Sequence, residues 1–330
     1  MHIVVVFNPI AGRGRSAAAA AGISSALQEA GHLVTLIRSE PTSVDEWLEP
    51  TLRPGSEGSV PPVSLLVIAG GDGAIRLASA AALRWGVPIY QVPTGTENLF
   101  AREWGMDRRP ETLLRAIAHG RVETVDTARA NAEHFLLMTS VGYDADVVHD
   151  LAAHRTGGIS HLSYLRPMLR QMGSHTPLRL AITVDGQRID DGGPGFVVVA
   201  NSRQYAMRLN PARRARMDSG HLDIVWFPCA GIPDMVGWMV RCQLGLHLDD
   251  CRLQYREGRE VVIECDTPFR HQLDGDAAVE RDIKRLELQI RPGTLRVLTA
   301  RPSSTARSTA RCATGGATGG ATGGELPNRG

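Results

Sequence analysis

Along the first third of the chain, short unbroken apolar runs alternate with segments of helical period. "HIVVVFN", "LVTLIRSE", "LLVIAG" and "VPIYQVP" read as strands; "RSAAAAAGISSALQEAG", the stretch after Asp72 and "ENLFAREW" read as helices or helix starts. Strands apolar on both sides, alternating with helices, predict a parallel sheet covered on both faces. Gly31 stands where it can end the first helix. "PTLRPGSEGSVPP" reads as an irregular surface connection.

Past residue 120 the pattern becomes one of strands. "RVETVDTARA", "HFLLMTSVG", "LRLAITVDGQRID", "GFVVVAN", "HLDIVWFP", "CRLQYREGREVVIECD", "FRHQLDGD" and "KRLELQIRPGTLRVLT" all fit, several joined by tight glycine turns such as "VDGQ" and "REGRE". They predict an antiparallel β-sandwich. Two helical stretches interrupt them, "DADVVHDLAAHR" with "HLSYLRPMLRQMG", and "GIPDMVGWMVRCQLGL". The repeat "ATGGATGGATGG" has no means of forming a core. The expected organisation is an α/β fold. A doubly wound parallel-sheet nucleotide-binding domain (1–124) precedes an antiparallel β-sandwich (125–300) and a disordered Gly/Thr/Ala-rich tail (301–330).

Composition narrows the partners. With 43% hydrophobic and 22% charged residues the chain reads as soluble and globular, and a net charge of +1 offers no basic surplus for nucleic acid. "NPARRARMD" is locally basic and reads as a solvated loop, a face toward anionic lipid or phosphate being the alternative. Five cysteines without a C-x-x-C pair argue against a disulfide framework or zinc site and fit a reducing compartment. No apolar run approaches the roughly 20 residues of a membrane span, and the start lacks the charged region of a signal peptide. The expectation is a cytoplasmic protein, at most peripheral to a membrane.

Three loops follow strands at one sheet edge, where open α/β sheets bind ligands. They are "FNPIAGRGRS" with Asn8, Gly12 and Gly14; Gly70-Gly71-Asp72-Gly73; and "PTGTENLF" with Thr94, Gly95, Thr96 and Asn98. Glycines let N–H groups approach phosphate oxygens, and helix N-termini add a favourable dipole. The threonines and Asn98 add side-chain hydrogen bonds. A carboxylate among phosphates is repulsive unless a cation lies between, so Asp72 points to Mg²⁺ with a nucleotide. An N-cap for the helix it precedes is the structural alternative.

In order along the chain, "NPIAGRG", "GGDGAIRLAS", "PTGTENLFARE", "VGYDADVV", "HLSYL", "MDSGHLDIVWF" and "QLDGD" resemble the motifs of the diacylglycerol kinase catalytic-domain family, which includes bacterial lipid kinases and sphingosine kinases. The resemblance spans nearly all of residues 1–300. It implies an ATP- and Mg²⁺-dependent lipid kinase with its active site between the two domains, the sandwich being the lipid-substrate domain. Asp72 and Gly71 then handle nucleotide and metal, with Asn8, Thr96 and Asn98 lining the nucleotide. Asp276 takes the place of the family's glutamate base, and Asp218 and Asp223 match a second, structural metal site, with β-turn roles as the alternative. A lipid substrate implies peripheral membrane contact; a homodimer is left open. Ala74 stands where the family usually has threonine, and Asp276 is one methylene shorter than glutamate. "LDGD" read alone is a polar hairpin turn, and Leu162, Leu165, Met168, Leu169 and Met172 share a helical face that reads as core before lipid slot. Three other readings use parts of the pattern. One is an NAD kinase-like enzyme, through GGDG; one is a dehydrogenase, through "GRGRSA" and Glu40. The third is a non-catalytic nucleotide or lipid sensor, through Ala74.

Overall fold

The computed structural model describes residues 1–53, 61–153, 177–190 and 192–301. The chain opens with β1 (His2–Phe7), α1 (Arg15–Glu29), β2 (Leu33–Arg38) and the single-turn helices α2 (Val44–Trp47) and α3 (Glu49–Leu52). Next come β3 (Val63–Gly70), α4 (Asp72–Trp85), β4 (Ile89–Pro93), α5 (Leu99–Trp104) and α6 (Pro110–His119). The four strands are parallel in the order β2-β1-β3-β4. Successive residues Ile3 to Val6 and Leu65 to Ala69 are all buried, as strands covered on both faces require. Because β2 and β3 lie on opposite sides of β1, the strand order reverses there, and a crevice opens beyond the carboxyl ends of β1 and β3.

The second half begins with β5 (Val122–Ala130), β6 (Glu133–Phe135), β7 (Met138–Val141), α7 (Tyr143–Ala153), β8 (Ala181–Val184) and β9 (Gln187–Arg188). It continues with β10 (Gly195–Ala200), β11 (Leu222–Pro228), α8 (Ile232–Leu244) and β12 (Gln254–Gly258). The last strands are β13 (Glu260–Phe269), β14 (His271–Leu273), β15 (Asp276–Ala277) and β16 (Ile283–Leu298). One antiparallel sheet runs β12-β11-β10-β7-β14-β15. It packs on β5, β8, β13 and β16 through a core that includes Val197, Val199, Ile224, Trp226, Ile263 and Leu286. The intervening residues Val198, Val225 and Phe227 face the other way and join the core of the α/β half. Burial on both faces explains why "GFVVVAN" and "DIVWF" show no apolar–polar alternation.

Strand β16 joins the two halves. Its first part pairs with β13 and β5; its end pairs with β5 and, in parallel, with β4 through Val297 and Ile89. Residue 124, where the sequence pattern divides, therefore lies inside β5, a strand that follows β16 across both halves. Between Arg291 and Leu295 the register slips at a bulge, and the inward side chains change from the sandwich core (Leu288, Ile290) to the α/β core (Leu295, Val297). Asp126, buried in β5, holds this bulge: its carboxylate accepts from the N–H groups of Gly293 (2.8 Å) and Gly220 (2.7 Å).

"VDGQ" forms the expected tight turn, Asp185 and Gly186 both at positive φ between β8 and β9. "REGRE" does not. There β12 ends in one sheet and β13 begins in the other, so the segment is a corner where the chain changes sheets. Helix α6 was not legible as an element, although Pro110 at its start and Gly120 after its end bound it. The "HLSYLRPMLRQM" helix and the tail from residue 302 fall outside the described residues. Among the described residues no helix is long and apolar enough to cross a membrane.

Replacing Asp126 with alanine leaves two N–H groups without their acceptor. Asp126→Ala should cost about 2 kcal/mol, and Asp126→Asn, which keeps one acceptor, roughly half as much. Urea midpoints at unchanged m-value measure both.

Candidate active site

The loop after β1 is built by its own backbone. Asn8 Oδ1 accepts from the Ile10 N–H (3.1 Å), and its carbonyl accepts from Ala11 N–H (3.2 Å). Gly12 lies in a 3-10 turn, Ala11–Gly14, and Gly14 caps α1 at φ 86°. The Ser16 hydroxyl, which the motif reading passed over, donates to the Ala69 carbonyl (2.5 Å) and accepts from Asn8 N–H (3.3 Å). It ties this loop to the end of β3.

The second and third loops touch at their glycines. A Cβ on Gly95 would lie 2.6 Å from Gly71 Cα, so Gly95 excludes a side chain, and one on Gly71 would press on Gly95 Cα at 3.2 Å. Gly70 accepts from Thr94 N–H (3.2 Å). Asp72 is the first residue of α4, yet its carboxylate caps a different helix, accepting from Leu99 and Phe100 N–H of α5 (both 3.0 Å). Asp72 is therefore not the cap of the helix that the sequence expects it to precede, whose N-cap is Gly71; it serves the neighbouring helix. The Asn98 amide closes on Gly95, accepting from its N–H (2.8 Å) and donating to its carbonyl (2.9 Å). Thr94 is buried; Thr96 and Ala74 line the cleft.

Opposite these loops, "LDGD" folds as a hairpin turn, with Asp274 (φ 53°) and Gly275 (φ 87°) at its corner. Its two carboxylates part company. Asp274 turns inward and accepts from the N–H groups of Leu136 (2.8 Å), Leu137 (2.7 Å) and Met138 (3.0 Å). Asp276 reaches across to GGDG, where a Cβ on Gly73 would lie 2.3 Å from its Oδ2. Its side chain is 42% exposed and faces Arg76 at 3.6 Å, whose guanidinium meets Glu133 at 3.7 Å on the other side. Arg76, in the second turn of α4, carries no motif of its own; its role comes from the two carboxylates that meet it.

The three loops and the hairpin enclose a cleft of about 620 Å³ lined by Asn8, Gly70 to Ala74, Thr94 to Glu97 and Asp274 to Asp276. Beside it lies a cavity of about 140 Å³ between β7, β10, α7 and α8, walled by apolar residues such as Val147, Phe196, Met235 and Trp238. Leu99, Ala206 and Gly275 line both spaces, so they meet next to Asp276. Among the described residues, one carboxylate lines the cavity. Asp144, from "VGYDADVV", accepts from the Ser140 hydroxyl (2.5 Å), and Gln272 accepts from Gly275 N–H (2.7 Å) while its amide reaches Ser140 (3.0 Å). This chain of contacts connects the cavity to the hairpin turn.

Charge in the cleft is unbalanced. Burial, reinforced by the negative charges of Asp274 and Asp276, pushes Asp72 up to about 6 against the lowering effect of its two N–H bonds. Asp274 is also raised by burial, with Arg76 and the three N–H groups opposing. The other two metal candidates sit apart in character: Asp218 is exposed and paired with Arg216 (3.0 Å), whereas Asp223 is buried against the Tyr255 hydroxyl. Among the described residues no group of three or more His, Cys, Asp or Glu is placed to hold a metal ion.

An acid whose folded pKa lies above its unfolded value binds more protons when folded, so it favours the folded state at low pH and loses that contribution as pH rises. For Asp72 the window runs from 3.8 to about 6. Urea midpoints of the parent should therefore fall, relative to those of Asp72→Asn, as pH rises through this interval.

Comparison with known proteins agrees with this layout. Residues 2–130 match the family model of the diacylglycerol kinase catalytic domain, and residues 138–299 match that of the YegS C-terminal NAD kinase beta sandwich-like domain. A diacylglycerol kinase of Mycobacterium tuberculosis (strain ATCC 25618 / H37Rv) is 22% identical over 306 residues, 91% of this chain and 95% of that protein. A solved candidate diacylglycerol kinase from Bacillus anthracis str. Sterne superposes with a TM-score of 0.69 at 19% identity, over 90% of this chain and 96% of that one. A second structure from that organism, of a diacylglycerol kinase, gives a TM-score of 0.61 at 16% identity, with the same coverage. The solved structures speak for the fold; the two consecutive family matches take in the glycine loops and the Asp274–Asp276 turn, and by them the chain belongs to the diacylglycerol kinase catalytic-domain family.

Proposed function

We propose that the protein is an ATP-dependent lipid kinase. The observation that carries this reading is the junction at Gly275, where a polar, glycine-walled cleft meets an apolar cavity beside the half-exposed carboxylate of Asp276. The cleft suits a nucleotide's phosphates: Gly71 and Gly95 leave backbone where a side chain would stand, and α4 presents its N-terminus. The cavity suits the acyl or alkyl part of an acceptor whose hydroxyl would lie at the junction. Asp276 accepts the hydroxyl proton as general base, and Arg76 holds that carboxylate in place.

Mg²⁺ fits the chemistry of the cleft, since Asp72 offers hard carboxylate oxygens and Asp274 and Asp276 add negative charge in excess over Arg76. Asp72, which lines the cleft, is the residue that would hold it. When bound, the ion would neutralise charge on the transferring phosphoryl group. The Asp218 and Asp223 pair keeps its place in this proposal only as a second, structural metal site. The apolar cavity, with lipid as its occupant, also implies peripheral contact with a membrane.

Purified protein with Mg²⁺, labelled ATP and mixed micelles of diacylglycerol, a sphingoid base or ceramide tests the reading, with NAD as a separate acceptor. Label should enter a lipid, and Asp276→Asn should lower kcat by about a hundredfold or more with little change in the KM for ATP. Label in NAD alone would reassign the enzyme to the NAD kinase-like class; ATP binding without any product would favour a sensor. Gly73→Ala probes the same carboxylate from the other side. Its new methyl meets only the mobile end of Asp276, so the urea midpoint should stay near the parent's while kcat falls.

A further inference from the structure

Helix α8 is apolar on two faces, and only one of them is covered. Met235, Trp238 and Cys242 are buried and line the cavity. Roughly a third of a turn away, Ile232, Val236, Val240 and Leu244 recur at every fourth position, exposed by 44%, 41%, 52% and 66%. A helix on a globular surface needs one apolar stripe; a second, facing water, marks a contact surface. Leu246 carries the stripe past the helix end at 54% exposure. Met207, exposed and itself a lining residue of the cavity, lies in the segment that Arg213 ties to that end through the Gly245 carbonyl.

The charges around the stripe distinguish between partners. Arg241 and Arg252 lie over the Trp238 ring and pair with Asp250. Arg208, Arg213 and Arg214, at the cavity end, are exposed, and Arg213 meets a carbonyl where a carboxylate would neutralise it. These five arginines stand against Asp223, Asp234, Asp249 and Asp250, a small positive surplus in a protein whose net charge is only +1. A second copy seated symmetrically on the stripe would bring like arginines face to face. An anionic bilayer would receive the aliphatic side chains at its acyl boundary and the guanidinium groups at its phosphates.

We infer that the exposed face of α8, with the arginines at its cavity end, is the surface by which the protein docks on anionic membranes. The bilayer is the source from which the cavity fills; that clause rests on the lipid-kinase reading, whereas the docking is read without turnover.

Flotation of the full chain with phosphatidylcholine vesicles, with and without phosphatidylglycerol, tests it. Binding should require phosphatidylglycerol and weaken as salt rises. Val240→Asp with Leu244→Asp should lower partitioning about tenfold or more, and Arg208→Gln with Arg213→Gln roughly tenfold. Neither aspartate replaces a cavity residue, so transfer to a short-chain, water-soluble acceptor should match the parent. A parent that phosphorylates no lipid yet floats, and stops floating in the double-aspartate variant, upholds the docking surface while the kinase reading falls. Unchanged flotation of that variant overturns the inference. So does a dimer, seen by light scattering, that dissolves in the variant while vesicles bind neither form.

Discussion

Gly73 and Asp276 occupy a space with room for one side chain, and the arrangement of the site depends on which residue has it. A hydrogen on Gly73 admits the Asp276 carboxylate to the start of α4; any larger substituent would contest that position. The contact joins the turn of a β-hairpin in the second half to the helix N-terminus of the first. It is held from behind by Asp274, whose carboxylate accepts three successive N–H groups at Leu136 to Met138 and so fixes the hairpin against the strand it pairs with. One turn of four residues therefore carries a structural carboxylate and a presented one. They diverge because the I′-type corner at Asp274 and Gly275 reverses the chain between them.

That geometry concentrates negative charge. Asp72, Asp274 and Asp276 influence one another, and Arg76 is the cation that the ion pairs place among them. Two of the carboxylates are needed as backbone acceptors, so the fold cannot discard them. Burial, reinforced by this surplus, raises Asp72, so the cleft favours a positively charged occupant.

Much of this was legible because glycines and strand periods have few physical meanings. The parallel half followed from unbroken apolar runs ending in glycine loops, and the DG turns at Asp185 and Asp274 announced themselves. The destinations of side chains were harder to read. Asp72 was recognisable as a cap, but its partner helix starts 27 residues later, and no local rule selects it. Asn98 reads from the sequence as a ligand contact, and its side chain closes its own loop on Gly95, a bond that no local rule announces. "REGRE" carries the composition of a hairpin turn, yet Gly258 and Glu260 belong to different sheets, a fact set by what β11 and β16 offer as neighbours. Arg76, Ser16 and Asp144 act through partners on other elements, so their roles appear only once those elements pack; for Arg76 that means the meeting of the two halves.

The same meeting explains why the cavity exists. Strands β10 and β11 put alternate side chains into two cores, one inside the sandwich and one toward the α/β half. On that second face Phe196 and Phe227 stack at 4.7 Å, and Trp238 closes edge-on over Phe227 at 5.4 Å, so rigid rings wall the space where flexible chains could fill it. The Trp238 indole donates to the Pro228 carbonyl (2.7 Å) and fixes α8 to the end of β11. A helix anchored by one aromatic residue on its inner face is not free to rotate its outer stripe inward. The exposure of Ile232, Val236, Val240 and Leu244 is thus a consequence of how the cavity wall is held, which links the outer stripe of α8 to the space behind it.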